Sequence, residues 1–401
     1  MHVDAAHFCS LTAVEQITRF RKSHMKKNIF PGLIALLATN AAFAQSSVTI
    51  YGLIDEDVRY QTNTPVTGST PARQLAVTPG MLNGDRLGFK GDEDLGGGST
   101  AFFTLEDGFS ANNGTIGQQG QLFGREAFVG LRNNSLGEVE AGRLYGLLYE
   151  DIATVFDPVA GNNGSIDWEY EIEGIRFDNS IRYANTWGPL TLKTQYSFGG
   201  QAGEPSIGST DAFSLFYRDG PLFIATAEQA SRDENANQAS IASVAGQYIF
   251  GTLTLDLSFV DAKRDPGFAA GANSTAAAPS SAALANTNLN SNAGNKLQRT
   301  DALWTAAAVY NITYAWAFTL DYKFDSVTNN SSKGDSGKVS TVVGLLEYNF
   351  SKRTKVYLEL DHESVSGGEV KDANLVLSGA GASLGGATDR NGVSLGVQHR
   401  F

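Results

Sequence analysis

The last ten residues of the chain alternate between apolar and polar side chains up to the final residue. The odd-numbered positions from Val393 to Phe401 are apolar apart from His399, and the even-numbered positions from Ser394 to Arg400 are polar or glycine. A period of two is that of a β-strand with one apolar and one polar face. Chain ends are usually poorly ordered unless they are tied down. A strand that stays apolar on one side to its last residue is therefore expected to be paired on both edges, like the closing strand of a barrel.

A secretory leader is predicted near the other end. From Met25 the chain has two lysines, then a short apolar run over residues 29–37, and then small residues up to Ala44. A positive start, an apolar middle and small residues before a cut predict a signal peptide over residues 25–44. The apolar run is too short to span a bilayer as a helix. Residues 1–24 fit no part of this pattern, and we interpret them as a spurious N-terminal extension.

The charge balance and the cysteine content exclude several classes of protein. The sequence has 42 acidic and 30 basic residues and a formal net charge of −12, which excludes a general nucleic-acid binder with a basic face. Its only cysteine, Cys9, precedes the predicted cleavage site. Disulfides and thiolate metal sites are therefore not expected, and no motif predicts a metal or another cofactor.

Alternating segments recur from residue 48 to the end of the chain. In the clearest segments one set of alternate positions is mainly aliphatic or aromatic and the other is polar or charged; these are residues 190–198, 253–259, 316–324 and 356–361. A charged side chain in a strand is costly facing lipid and harmless facing water. We therefore expect the apolar set to face lipid and the polar set to line a wet lumen. A soluble β-sandwich has the same period, but the polar second faces, the aromatic strand ends and the signal peptide favour a membrane barrel.

The connections between these segments alternate in length. Short turns alternate with long polar connections, among them residues 62–80, 146–174 and 264–299. This is the up-and-down pattern of a transmembrane barrel with short periplasmic turns. The sequence thus predicts an all-β fold, a sixteen-stranded antiparallel transmembrane β-barrel, over residues 45–401. The Ala-, Asn- and Ser-rich stretch 271–295 is expected to be a flexible external loop.

Several short motifs occur in a fixed order along this region. They are SSVTIYG at 46–52, RLGFKG at 86–91, EDLG at 93–96, FGR at 123–125, LGEV at 136–139, GR at 142–143, NSIRY at 179–183, FSKRT at 350–354 and the end from Gly396 to Phe401. In this order they resemble the Gram-negative general porins of the neisserial and betaproteobacterial type, and the resemblance covers all of residues 45–401. It implies a general diffusion porin without enzymatic activity, a water-filled channel for ions and small hydrophilic solutes.

The resemblance also implies an assembly and a set of partners. It implies a homotrimer in the cell outer membrane of a Gram-negative bacterium, in contact with outer-membrane lipid and lipopolysaccharide. It further implies insertion by the barrel-assembly machinery, for which Phe401 would be the terminal assembly signal. No nucleic-acid partner is expected.

A pore constriction is the functional site that the resemblance implies, because a porin selects solutes by the width and charge of its narrowest opening. The connection 146–174 follows the fifth strand and would be the third external loop, which in this family folds into the lumen. The candidates on this loop are the acidic residues Asp151, Asp157, Glu150 and Asp167. The candidates on the wall are arginines at or near the matching motif positions: Arg86, Arg125, Arg176, Arg143 and Arg182. Facing rows of opposite charge would produce a transverse field.

Other interpretations stay open at this level. A substrate-specific channel would share the fold, but an aromatic ladder or a tight basic cluster would favour it and only the arginines are present. An outer-membrane enzyme using histidine would need His362 or His399. His399 lies on the lipid-facing set of the last strand, and no serine or cysteine motif accompanies His362. An enzyme with an all-carboxylate site is a further alternative. A non-conducting adhesin would carry its activity in external loops. A lumen arginine can also be a structural partner of an acid, and a loop acid can simply be solvated.

Ion selectivity depends on local charge, which acts over about 8 Å at physiological salt. The net negative charge favours cations, whereas three arginines at a narrow point favour anions, and we expect weak cation preference or near neutrality. Lys90, Lys193 and Lys323 are expected to line the wider lumen. The aromatic residues expected at the membrane interfaces or facing lipid are Tyr51, Tyr183, Tyr196, Trp187, Trp304, Trp316 and Phe401.

Overall fold

The computed structural model describes residues 47–66, 69–159, 172–270, 284, 287, 289–371 and 386–401. The predicted leader and Asp167 lie outside these residues. Within the described part of the chain, no helix has the length and apolarity needed to cross a membrane.

The described residues form one closed antiparallel sheet. The first strands are β1 Ser47–Val66, β2 Ser69–Pro79, β3 Asp85–Gly96, β4 Ser99–Ser110, β5 Thr115–Ile116, β6 Glu126–Asn133, β7 Gly137–Tyr145, β8 Arg176–Trp187 and β9 Leu190–Ser197. The remaining strands are β10 Thr210–Asp219, β11 Leu222–Arg232, β12 Gln238–Phe250, β13 Leu253–Arg264, β14 Arg299–Asn311, β15 Trp316–Thr328, β16 Gly337–Asn349, β17 Thr354–Gly367 and β18 Asp389–Arg400. Most of these strands pair with their neighbours along the chain, and β18 pairs with β1 to close the barrel.

The eighteen strands of the described residues make fewer wall strands, because two of them share one wall position and one is too short to count. β2 and β3 pair with the same edge of β1, β2 with residues 56–66 and β3 with residues 47–53, so together they form one interrupted wall strand. β5 is a two-residue strand that pairs only with the end of β4. The wall therefore has sixteen strands, which confirms the predicted sixteen-stranded barrel.

The pleat of the strands separates lipid-facing from lumen-facing residues as alternation predicted. On β15, Leu320 is 50 % exposed on the outer surface, whereas Asp321 and Lys323 on the other face are fully buried inside the barrel. On β18, Leu395 is outward and Ser394 inward in the same way. Charged side chains inside these strands are therefore kept away from lipid.

One predicted connection is in fact a strand. Residues 62–80 were expected to be a long external loop, but β1 continues to Val66 and β2 begins at Ser69. Above the apolar band of the membrane, the outer face of a strand meets water and does not need to be apolar. The polar residues at this end of β1 therefore concealed an extended hairpin.

The C-terminal residue completes the closure of the barrel. The Gly52 and Phe401 backbones exchange two hydrogen bonds, at 3.2 and 3.0 Å. The Phe401 ring lies against Gly52, where a Cβ atom would come within 2.3 Å of the ring. The SSVTIYG motif thus contains a glycine because the terminal aromatic ring occupies the space of a side chain.

Candidate pore constriction

The connection after β7 begins with two short helical turns. A π-helical turn spans Tyr149–Ala153, and a helical turn spans Thr154–Phe156. Leu148, Ile152 and Phe156 are spaced four residues apart, which places them on one face of such a segment. All three are buried. This spacing gives the segment an apolar face that needs a partner.

The apolar face packs on inward-facing residues of the barrel wall. The rings of Phe156 and Phe223 of β11 are 5.0 Å apart, and those of Phe223 and Phe216 of β10 are 5.8 Å apart. Leu148 and Ile152 belong to the same buried cluster. The segment after β7 is therefore held against the inner side of β10 and β11.

The first two acidic residues of this segment bind cations of the wall. Glu150 accepts a hydrogen bond from Lys193 of β9 at 2.7 Å and lies 2.8 Å from Arg182 of β8. Asp151 accepts from Lys193 at 2.7 Å and from Ser214 of β10 at 2.6 Å. Burial favours the neutral form of both, but Arg182 and Lys193 hold the pKa of Glu150 below its usual range. For Asp151, burial outweighs Lys193 and raises the pKa.

The third acidic residue contacts a distant strand. Asp157 lies 2.8 Å from the Nζ of Lys323, which also donates to Asp321 at 2.9 Å. Lys323 is on β15, eight strands along the sheet from β7. In a sixteen-stranded barrel such strands lie on opposite sides, so residues 146–157 extend from one side of the barrel to the other.

Two of the predicted wall arginines share one carboxylate. Glu106 of β4 lies 2.6 Å from Arg125 and 3.9 Å from Arg86. Tyr51 of β1 also donates to Glu106, at 2.9 Å. Tyr51 was predicted at the lipid interface, and that prediction is wrong: it shares the inward face of β1 with Asp55, because both positions are odd-numbered.

A tyrosine connects Arg176 with these two arginines. The Tyr145 hydroxyl accepts hydrogen bonds from Arg125 at 2.9 Å and Arg176 at 3.2 Å. The Arg176 guanidinium lies 4.7 Å from the centre of the Tyr145 ring, a cation–π geometry. Tyr145 stacks in turn on Tyr149 of the connection at 5.2 Å. We call Arg86, Arg125 and Arg176 the arginine cluster.

The other two predicted arginines have different neighbours. Arg143 donates to Asp178 at 2.6 Å and to the Gly124 carbonyl at 2.7 Å. Arg182 donates to the Tyr145 carbonyl at 2.5 Å, besides its contact with Glu150. Arg143 therefore braces the wall between β7 and β8, whereas Arg182 anchors the beginning of the connection.

A cavity of about 460 Å³ separates the connection from the arginine cluster. Its lining includes Arg86, Arg125, Glu150 and Asp157, all predicted site residues. It also includes residues that were not predicted: Tyr145, Tyr149, Thr154, Glu347, Lys355 and Arg400. Glu347 and Lys355 form an ion pair at 2.5 Å. Lys355 and Arg400 lie on the polar sets of their strands, so alternation could have found them, whereas Glu347 shares its inward face with Val343 and Leu345. Alternation could not show that any of the three lies at the same depth as the arginines.

Besides the connection after β7, a second segment enters the lumen that the sequence had not predicted. Between β2 and β3, residues 80–84 bend into the barrel, where Asp55 accepts hydrogen bonds from the Asn83 amide, the Tyr357 hydroxyl and the Gln398 side chain, each at 2.9 Å. The neighbouring Met81 is buried in a cluster that includes residues of the connection after β7. The Pro-Gly and Asn-Gly pairs at 79–80 and 83–84 were the available signal, because such pairs mark turns.

The exit side of the connection contains one further buried acid. Glu173 is fully buried, and its backbone carbonyl accepts from Gln229 at 2.9 Å. Burial, together with the nearby Asp157, raises the pKa of Glu173 to about 8. Glu173 is therefore mostly neutral at pH 7, unlike Glu150.

Comparison with known proteins identifies the family. A sequence profile described as Gram-negative porin matches residues 32–368. The chain belongs to the Gram-negative porin family. An outer membrane porin protein of Bordetella pertussis is 27 % identical over 266 residues, which cover 59 % of this chain and 69 % of that protein. The expected outer-membrane location and porin function are thus confirmed.

Solved structures show the same fold. An anion-selective porin from Comamonas acidovorans superposes with a TM-score of 0.71 at 22 % identity, covering 89 % of this chain and 100 % of that one. The trimer form of OmpT, an outer membrane protein of Vibrio cholerae, superposes with a TM-score of 0.60 at 12 % identity, covering 89 % of this chain and 99 % of that one. At these identities the likeness concerns the fold.

Proposed function

We propose that this porin is a diffusion channel that prefers small anions, with its narrowest opening between the arginine cluster and the third external connection, residues 146–175. The connection extends from β7 to Lys323 on the opposite side of the barrel, which supports its role as the loop that narrows the lumen. The cavity beside it provides the solute path.

The proposed anion preference follows from the way in which charges are paired around the cavity. Each acid of the lining has a cation within ion-pair distance: Glu150 has Lys193, Asp157 has Lys323 and Glu347 has Lys355. Lys193 also binds Asp151, and Lys323 also binds Asp321. On the opposite side, Arg86 and Arg125 share one carboxylate, that of Glu106, which is the only acid that forms an ion pair with either of them among the described residues. Arg176 and Arg400 add further positive charge. The local field at the opening is therefore positive, although the net charge of the chain is −12.

Local charge outweighs net charge because salt screens charges beyond about 8 Å. Acidic residues at the mouth or on the outer surface therefore contribute little at the narrowest point. The anion selectivity named for the Comamonas acidovorans porin of similar fold agrees with this proposal. The proposal replaces the weak cation preference or near neutrality that was expected from the sequence.

The test is a planar-bilayer recording of the purified protein under a KCl gradient. We expect stepwise conductance and a reversal potential whose sign reports chloride as the more permeant ion. A reversal potential on the cation side would overturn the anion preference. Absence of conductance from correctly folded protein would overturn the channel itself.

The proposal includes the homotrimer and the export route. The trimer form of the Vibrio cholerae protein of similar fold supports three-fold assembly, which would appear as conductance steps grouped in threes. The outward rows of apolar residues suit contact with outer-membrane lipid, and with lipopolysaccharide in the outer leaflet. A leader over residues 25–44 would leave Gln45 as the first residue of the exported protein, which N-terminal sequencing would detect.

Phe401 is proposed as the terminal assembly signal. Deleting it removes the ring on Gly52 and the two backbone hydrogen bonds that join the end of the chain to β1. We expect the yield of folded trimer in the outer membrane to fall several-fold, as judged by heat-modifiable migration in gels. The control is Phe350→Ala, which removes an exposed aromatic residue at the turn before β17. Equal trimer yields for both variants would contradict the role of Phe401.

A further inference from the structure

The connection between β13 and β14 is not simply an external loop. Its described residues are 265–270, 284, 287 and 289–298. Among them, the apolar side chains of Phe268, Ala270, Leu284 and Leu289 are almost completely buried. The expectation of a flexible external loop over 271–295 thus fails at Leu284 and Leu289. We call the connection the sixth connection, since five external connections precede it.

These side chains pack on a part of the inner wall that is itself apolar. The inward positions of β11 to β14 that join the same buried cluster are Ala225, Ala227, Ala239, Ile241, Ala245, Val260, Ala262 and Leu303. Residues that line a water-filled lumen are usually polar. An apolar inner wall indicates that these strands face protein, and the partners present are the sixth connection and the apolar face of the third.

Arg264 joins the two connections at one point. This fully buried arginine ends β13, and its Nε donates to the Asn290 carbonyl of the sixth connection at 3.1 Å. Its Nη1 donates to Asp301 of β14 at 2.5 Å, and its Nη2 donates to the Ile172 carbonyl of the third connection at 3.2 Å. A planar guanidinium can satisfy three acceptors in a fixed geometry, which lysine cannot.

A backbone contact joins the same two segments. The amide of Ile175, which precedes β8, donates to the Thr287 carbonyl at 2.6 Å. The returning limb of the third connection is therefore held by a side chain of β13 and by the main chain of the sixth connection. Both contacts lie outside the cavity beside the arginine cluster.

We propose that the described residues of the sixth connection form a second narrowing element of the pore, which fills the β11–β14 side of the lumen and fixes the third connection through the positioning residue Arg264. The solute path is thereby confined to the side of the arginine cluster. Pore width depends on the sixth connection although none of its described residues lines the cavity. The conductance consequence rests on the proposed channel function, whereas the docking itself does not.

The first test replaces residues 267–297 with a short Gly-Ser linker. We expect single-channel conductance to rise about twofold or more, since a filled part of the cross-section opens, and larger sugars to enter proteoliposomes. The control replaces residues 201–206, part of a mostly exposed external connection, and should leave both quantities unchanged. Wild-type conductance and size limit in a folded trimer lacking the sixth connection would overturn the proposal.

The second test does not depend on conduction. In a background with Cys9→Ser, the variant Ala262→Cys places a thiol at a fully buried inward position of the apolar cluster. We expect a water-soluble maleimide to label it at least tenfold more slowly than Thr154→Cys, which lines the cavity and is exposed. Replacing the sixth connection should bring the two rates together. Equally fast labelling at both positions of the intact protein would overturn the docking.

The role of Arg264 is tested by Arg264→Lys. Lysine keeps a positive charge beside Asp301 but cannot hold both carbonyls in the same fork. We expect a normal trimer yield. The labelling rate of Ala262→Cys and the solute size limit should both lie between those of the wild type and those of the linker variant. Wild-type values of both would remove Arg264 from the proposal.

Discussion

The two halves of the inner barrel surface differ in chemistry. One half, the charged wall, faces the cavity and consists of Arg86, Glu106, Arg125, Arg176, Lys355 and Arg400. The other half, the apolar wall, is covered by the third and sixth connections and consists of the inward residues of β11 to β14 named above. The polarity of an inward position therefore reports what covers it. Where a loop covers the wall, most inward residues are apolar, and polar ones such as Arg264 and Gln229 bond to the loop.

Side-chain size follows the same division. The charged wall has long arginines and tyrosines that extend into the opening and contact one another. The apolar wall is rich in alanine, which lets the backbone of a loop approach the strands closely. One half of the barrel thus controls passage by charge, and the other half holds the segment that faces those charges.

The largest expected effect comes from removing the charges of the first half. The triple variant Arg86→Ala, Arg125→Ala, Arg176→Ala leaves Glu106 without its two cations. We expect the reversal potential under a salt gradient to move to the cation side and the conductance to increase. The control is Arg232→Ala, which removes a partly exposed arginine near the external end of β11. An unchanged reversal potential would remove the cluster from the constriction.

Adding one carboxylate to the apolar wall and one beside an arginine outside it sharpens the comparison. Ile241→Asp buries a charge in the apolar wall, which costs on the order of 3 kcal/mol or more without a partner. Gln195→Glu adds a charge where Arg182 already donates to the side chain, at 3.0 Å. We expect increased current noise and a wider pore only for Ile241→Asp, measured in single-channel records. Similar noise in both variants would show that the halves do not differ in this way.

A smaller effect is expected where the third connection meets β15. Lys323→Gln removes the ion pair with Asp157, and a hydrogen bond to a charged group contributes about 1.5–3 kcal/mol. We expect more frequent brief fluctuations of the open-channel current with little change in selectivity. Lys263→Gln, which breaks an exposed pair with Asp261, is the control. Identical fluctuation rates in the two variants would contradict an anchoring role for Lys323.

The smallest effect concerns pH and Glu173. Its pKa is raised from 4.5 to about 8 in the docked connection, so docking favours the neutral carboxyl. The stabilisation from neutral Glu173 is fully present below about pH 4.5 and declines as pH rises through 8. We expect current noise to increase over this range in the wild type and less so in Glu173→Gln. The exposed control Glu204→Gln should follow the wild type, and parallel pH profiles of all three would exclude Glu173 as the cause.

The sequence was most informative where lipid acts on it. Lipid penalises each outward polar side chain separately, so the alternation in segments such as 316–324 was enough to orient β15 correctly. The strand of residues 69–79 was missed because its outward apolar residues are limited to Leu75 and Val77, and the rest of it has the polar, proline-containing composition of a loop. The inward orientation of Tyr51 was missed because aromatic residues suit both an interface and a polar lumen.

The sequence by itself determined the barrel, its inward and outward faces, the porin family and the positions of the arginines on the wall. Only the tertiary structure decided which groups meet inside the lumen: Asp157 with Lys323, Tyr145 with Arg125 and Arg176, and Arg264 with two separate connections. Strand alternation is a local property that each residue satisfies by itself. Contacts across a lumen join residues far apart in the chain, and they depend on how loops of irregular backbone cross the space that the strands enclose.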